Sequence, residues 1–335
     1  MARMVGLDLG SAFTRIWTQD GGIVLRCPSA AAIDSQSHEL VAVGAEARRM
    51  LGKTPQDILA YRPIRDGLVS EFEVAARMVY ALFRNKQICS TFNRPVVLLA
   101  TPYRLDQSQR LTAENTVFEG GARAVAQIPA VFAAAIGAGL RVSSPYGSMV
   151  LNMGAGLSEA AIVSSGGIIA AHSIRVGGEK LDAAIANYLK QHRNLVIGIP
   201  TAESLKVQIG TASPHADRGV MTVYGRNART GLACHEEVTS AEICEAITPA
   251  IDAIARATLS VLENAPPEIA SDIHRYGLML CGGCANLHGL PEAIATKTRL
   301  RVTVARRPMD CTIEGLGRII KKPELWDASL EYRLR

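Results

Sequence analysis

The chain has 335 residues, enough for about two domains, and 48% of them are hydrophobic, so a sizeable core can be buried. Charged residues make up only 20%, which excludes a disordered chain. The net charge of +5 is mild and no Lys/Arg block occurs, so nucleic acid is not an expected partner. Residues 4–10 predict a buried strand closed by a glycine turn, and residues 14–18 predict its return strand. Ser70 with Glu73 reads as a capping box, followed by Phe72, Ala76, Val79 and Phe83 at helical spacing. Residues 95–100 form a short, fully apolar strand, and Asp106 is placed to cap a helix that ends near Gly120 and Gly121.

The second half opens like the first. Residues 148–154 are again an apolar strand closed by glycine, with residues 159–163 as the return strand. A helix is expected over 177–192, with Leu181, Ile185 and Leu189 on one face. Residues 220–225 and 232–238 predict a hairpin. Thr239 with Glu242 reads as a second capping box, opening a long helix that Pro249 is expected to kink or restart. Pro266 and Pro267 end that stretch. Residues 277–281 form a third apolar strand running into Gly282 and Gly283, with a helix expected at about Leu287.

The likeness between the halves is the most useful feature. Residues 7–10 line up with residues 151–154, an offset too long for a solenoid repeat. It suggests two related α/β halves with a ligand cleft between them. Any α/β protein has several strand–glycine turns, so this pair alone does not decide duplication.

Three loops carry possible chemistry. Gly10, Ser11, Ala12, Phe13 and Thr14 form a tight turn whose backbone N–H groups and hydroxyls suit a phosphate. Asp8, just before it, can hold magnesium through water. Gly154, Ala155, Gly156, Leu157 and Ser158 form a second such turn. Gly282 and Gly283 let the backbone approach a third part of a nucleotide. Each loop alone is weak, but three in order, two of them in matching halves, point to a nucleotide.

No stretch of about 18 apolar residues occurs, so no spanning helix is expected. Residues 1–4 run straight into Asp8, so no signal peptide is expected either. The seven cysteines are Cys27, Cys89, Cys234, Cys244, Cys281, Cys284 and Cys311. Their odd count and scatter read as reduced cytoplasmic thiols. The lone pair Cys281 and Cys284 is weak ground for zinc or redox chemistry.

The chain resembles the bacterial actins of the MreB/Mbl type from about Val5 to Arg318. The resemblance rests on residues 5–11, 43–47, 50–55, 62–67 and 71–74. It continues through 133–139, 173–177, 201–203 with Lys206, Gly282 and Gly283, and 315–317. It implies an α/β actin-like ATPase fold: two duplicated α/β halves, four subdomains, and a nucleotide cleft. The halves are expected at 1–147 and 148–317, with small subdomains inserted at about 31–65 and 186–240. Residues 318–335 form a tail that either packs back on the first half or binds a partner. The resemblance also implies ATP or GTP with magnesium as cofactors. It places Glu203 and Lys206 on the nucleoside-contacting helix, and Gly282, Gly283 and Cys284 at the adenosine loop. The implied partners are other copies of the chain in a filament, the inner face of the cytoplasmic membrane and the wall-elongation machinery. A catalytically complete paralogue is a further candidate partner, on the ground of the departures that follow. The implied location is cytoplasmic, peripheral at that membrane.

The departures from the family pattern fall at the chemical centre. Ala130 stands where the family has the glutamate that positions the attacking water. Asn152 stands where it has a second acid. Leu157 replaces a hydroxyl donor, Ala155 adds a methyl to the second phosphate loop, Phe13 replaces a small polar residue and Cys284 replaces a glycine. Loss of a water-positioning carboxylate removes a factor of about 10²–10⁴ in rate, and loss of an acid near the metal compounds it. Nucleotide binding is therefore expected with hydrolysis slow or lost. The alternatives are an active ATPase with a substituted catalytic residue, or a small-molecule phosphotransferase on the same fold. Glu159 is the nearest substitute base in sequence, with a structural role favoured. For the membrane, Ile88 and Phe92 flanked by Lys86 and Arg94 fit shallow insertion, or else cover the end of the preceding helix.

Overall fold

The structure is a computed structural model that describes residues 3–90 and 93–326, and the backbone of Arg333–Leu334. Two mixed sheets organise it. The six-stranded sheet runs in the order Arg333–Leu334, Ala124–Pro129, Val96–Thr101, Met4–Leu9, Phe13–Thr18, Gly22–Pro28. The five-stranded sheet runs Val302–Val304, Leu278–Cys281, Ser148–Met153, Ser158–Ser164, Gly167–Ile174. Leaving aside the added edge strand Arg333–Leu334, the two orders are the same. Each half opens with a three-strand antiparallel meander, and two further strands join parallel on the side of its first strand. The parallel strands are covered on both faces, which explains their unbroken apolar runs: Val97, Leu98 and Leu99 are all buried.

Helices Phe72–Asn85 and Gln107–Glu119 belong to the first half, and Gly178–Arg193 and Ser240–Glu263 to the second. Between the halves, Ala130–Ala138 crosses Cys311–Lys321 at glycine-lined contact. A Cβ at Gly137 would run into the Cys311 carbonyl, and one at Gly315 into the Ala133 carbonyl. Only glycine lets these two helices approach so closely. Two small three-stranded sheets and a two-stranded ribbon, Ile64–Arg65 with Leu68–Val69, add to the main sheets. One small sheet joins Leu40–Val43, Ala31–Asp34 and Ile58–Tyr61; the other joins Leu195–Val196, Val220–Asn227 and Ala233–Thr239.

Two of the three expected caps form. Asp106 with Gln109, and Thr239 with Glu242, close reciprocal capping boxes. Ser70 does not cap: its hydroxyl donates to the Pro63 carbonyl at 3.1 Å, and the helix starts at Phe72. Pro249 lies inside one continuous helix and does not restart it. The chain after Gly283 makes a short 3-10 turn, Gly283–Asn286, and the helix waits until Leu290. The tail docks on the body. The Trp326 ring lies 4.5 Å from that of Phe132, and Arg333–Leu334 pairs antiparallel with Ala124 and Val125. Leu330 and Tyr332 lie outside the described residues.

Candidate functional site

The two leading hairpins make the same turn. The Gly10 N–H donates to the Phe13 carbonyl at 3.2 Å, and the Gly154 N–H donates to the Leu157 carbonyl at 2.9 Å. The register follows from the turn: Asp8 stands opposite Arg15, and Asn152 opposite Glu159. Each pair therefore lies on one face of its hairpin. The turns meet across the molecule. Ser11 accepts from the Gly67 N–H at 2.9 Å, and a Cβ at Gly156 would run into Ser11 and the Asp66 backbone.

Between the halves lies a cavity of about 500 Å³, within the usual range for a small-molecule site. Gly10 to Phe13, Gly154 to Leu157, and Gly282 to Cys284 line it, with Asp8, Glu203 and Lys206. Gly282 has φ +87, and a Cβ there would strike the Met153 carbonyl. The helix that starts at Gly178 points its N-terminus at the second turn. Its first N–H groups, from Gly178 and Glu179, donate to the Gly154 and Ala155 carbonyls at 3.0 and 2.9 Å. That occupies two loop acceptors that would otherwise repel an anion, and the helix dipole adds attraction.

Thr14 and Ser158 sit beneath the turns and do not line the cavity. Thr14 shares a 2.9 Å hydrogen bond with Ser29, and Ser158 donates to the Val176 carbonyl at 2.6 Å. Two ion pairs cross the cleft, Arg48–Glu203 at 2.7 Å and Arg62–Glu179 at 3.1 Å. Lys206 lies 2.7 Å from Asp182 and donates to the Gly178 carbonyl at 2.9 Å. Burial pushes the Asp182 carboxyl up to about 6 against the pull of Lys206. Cys284 donates to the Gly154 carbonyl at 3.2 Å, so it ties the third loop to the second.

The family model for MreB/Mbl protein matches residues 2–327. This chain belongs to the MreB/Mbl family. It is 36% identical over 316 residues to the cell shape-determining protein Mbl of Bacillus subtilis, covering 94% of this chain and 95% of that one. It is 37% identical over 333 residues to the cell shape-determining protein MreB of Escherichia coli, covering 97% and 95%. A crystal structure of MreB5 of Spiroplasma citri bound to ADP superposes with a TM-score of 0.90 at 32% identity, covering 97% and 98%. The MamK double helical filament superposes with a TM-score of 0.78 at 17% identity, covering 96% and 99%, which speaks for the shared fold alone. The fold is thus the actin-like one of the MreB/Mbl proteins.

Within this MreB/Mbl cleft, Ala130 and Asn152 both line the cavity, and neither offers a carboxylate. Glu159 lines it as well. It is 1% exposed and accepts through one oxygen from the Tyr103 N–H at 2.7 Å and from the Ser173 hydroxyl at 2.9 Å. Burial pushes its carboxyl up to about 7 despite these bonds.

The residues beside Asp8 do not fit a metal-binding carboxylate. Arg15 Nη1 lies 3.1 Å from Asp8 Oδ2, so a cation already stands on the acid. Burial raises the Asp8 carboxyl above its ordinary value, and Arg15 offsets only part of that rise. The matching position across the cleft is the amide Asn152, and no group of three His, Cys, Asp or Glu suited to a metal occurs among the described residues.

Reading the sequence missed Arg15, Arg48, Arg62, Asp182 and Glu179. Only Arg15 left a signal. A turn closed between Gly10 and Phe13 fixes Asp8 opposite Arg15 by hairpin register. The reading of Ile88 as a membrane contact needs correction, because Ile88 is 1% exposed in the first-half core. The helix Phe72–Asn85 ends in a Schellman motif: Gln87 has φ +53, its N–H donates to the Arg84 carbonyl at 3.0 Å, and the Ile88 N–H donates to the Phe83 carbonyl at 2.8 Å. That geometry folds Ile88 back onto the helix end beside Phe83. Phe92 lies outside the described residues.

Proposed function

We propose that this chain is an actin-like cytoskeletal subunit that binds ATP, or GTP, between its halves with hydrolysis slow or lost. It polymerises into filaments at the inner face of the cytoplasmic membrane that guide wall elongation and rod shape. The observation that carries this reading is the pairing of two matched phosphate turns around one cavity whose expected catalytic positions are Ala130 and Asn152. Backbone donors and loop geometry for holding phosphates remain. The carboxylates for activating water do not, at a cost of about 10²–10⁴ in rate.

A solved relative supports the binding part: MreB5 of Spiroplasma citri, 31–32% identical, has been crystallised with ADP and with AMPPNP. The assembly part rests on membership of the family. The membrane and wall-elongation parts rest on the family resemblance. No helix among the described residues is long and apolar enough to cross a membrane. A catalytically complete paralogue is the partner that would supply turnover in a mixed filament.

A second reading, an active ATPase, has one observation in its favour. Glu159 borders the same cavity and is poised to exchange a proton near pH 7. The test of assembly is sedimentation with ATP, with and without anionic liposomes. Nucleotide-dependent pelleting that liposomes enhance supports the proposal. A chain that stays in the supernatant under every condition would sink the filament reading.

A further inference from the structure

The cleft holds several cations, and most are already spoken for. Arg48 pairs with Glu203, Arg62 with Glu179, and Lys206 with Asp182. Arg218 donates to the Gly210 carbonyl at 3.0 Å. Arg15 is paired too, and what sets it apart is its place on Asp8 and a buried donor left without a partner. Among the described residues, its side chain makes one hydrogen bond, from Nη1 to Asp8. Its Nε is buried and has no hydrogen-bond partner, and stands 3.7 Å from Asp310 Oδ1. Asp310 is itself engaged by Arg26 through both oxygens, at 3.0 and 2.9 Å. A guanidinium carries five donors, so Arg15 retains spare N–H groups on the cavity wall, beside the first phosphate turn.

We propose that Arg15 takes the place of the divalent cation in this cleft, so that a nucleoside triphosphate binds as the metal-free anion with Arg15 neutralising part of its charge. The inference rests on the nucleotide-binding reading above and deepens it. In a nucleotide site magnesium is held by one or two carboxylates, the phosphates and water. Here the first carboxylate, Asp8, carries a guanidinium, and the second position is Asn152. A dication beside Asp8 would sit against the positive charge of Arg15. A guanidinium, in contrast, is permanently charged, needs no hydration shell and matches phosphate oxygens with paired donors. The register that fixes Asp8 opposite Arg15 holds the side chain at the strand end that leads into Gly10.

The experiment is calorimetric titration of the full chain with ATP, in magnesium and again in excess chelator. The expected result is affinities within about threefold of each other. For the Arg15→Leu variant, magnesium dependence should return, with affinity in chelator about tenfold or more below that in magnesium, the scale of one charge-assisted hydrogen bond. Asp8→Asn serves as the second variant, because it frees Arg15 without emptying the site. It should bind ATP in chelator at least as tightly as the natural chain. Binding of the natural chain that needs magnesium by tenfold or more overturns the proposal and leaves the nucleotide reading intact. So does an Asp8→Asn variant that loses binding only in magnesium. Absence of ATP binding in either medium overturns both.

Discussion

The two leading hairpins share a backbone and differ in charge. In the first, Asp8 faces Arg15; at the equivalent places in the second, Asn152 faces Glu159. Both close the same glycine turn, and both border one cavity. The first hairpin thus carries a paired acid and base, and the second a neutral amide beside a buried acid held near neutrality. On the proposed function, the comparison teaches that phosphate holding and water activation are separable. Holding would depend on main-chain geometry, which both hairpins share. Activation would need a side-chain carboxylate, and the leading position of the second hairpin carries the amide Asn152.

The strongest way to break the comparison is to separate the turns. Gly156→Ala places a methyl against Ser11 and the Asp66 backbone. It should cost about 3 kcal/mol in a denaturant titration and weaken ATP binding. Gly283→Ala, whose Cβ meets nothing within 4 Å, should stay within about 0.5 kcal/mol. Equal losses for the two would mean that the turns do not set the cleft.

The next effect sharpens the difference in charge. Glu159 titrates at about 7 when folded, against an ordinary 4.5. The folded chain keeps a proton that the unfolded chain has released between those values. Stability from this group is therefore full below pH 4.5 and falls as pH rises to about 7. Glu159→Gln keeps an acceptor for Tyr103 and Ser173 and removes that fall. It should gain about 3 kcal/mol over the natural chain at pH 8 and under about 1 kcal/mol at pH 5 in urea unfolding. Parallel losses in both proteins would place the pH dependence elsewhere.

The smallest effect concerns the bridge from helix Ala45–Met50 to helix Ile199–Gln208. Arg48–Glu203 is partly exposed, so Arg48→Ala should cost only about 0.5 kcal/mol. It should still speed nucleotide release in a stopped-flow chase, since the pair spans the cleft mouth. An unchanged release rate would show that the pair does not gate the cleft.

Much of this was legible in the chain. Apolar runs ending in glycine located the central strands, because parallel strands buried on both faces leave no polar residues to interrupt them. Asp106 and Thr239 formed caps because their glutamine and glutamate partners sit three residues on. Ser70 had the same spacing, but the Pro63 carbonyl claimed its hydroxyl, a contact set by the fold and not by spacing. The phosphate turns were readable for the same local reason as the strands. The cross-cleft pairs were not, since Arg48 and Glu203 are 155 residues apart and only tertiary structure brings them together. The direction of Glu159 lay between these cases. Once the turn at Gly154 is placed, register puts Glu159 opposite Asn152, and both border the cleft.

The central claim is that this cleft holds a nucleotide without activating water. It is tested most directly by single-turnover phosphate release from ATP-loaded protein, comparing the natural chain with Ala130→Glu/Asn152→Asp. The account predicts release near baseline for the natural chain and at least about 10²-fold faster release for the double variant. Steady release from the natural chain that the folded double variant does not exceed would contradict it.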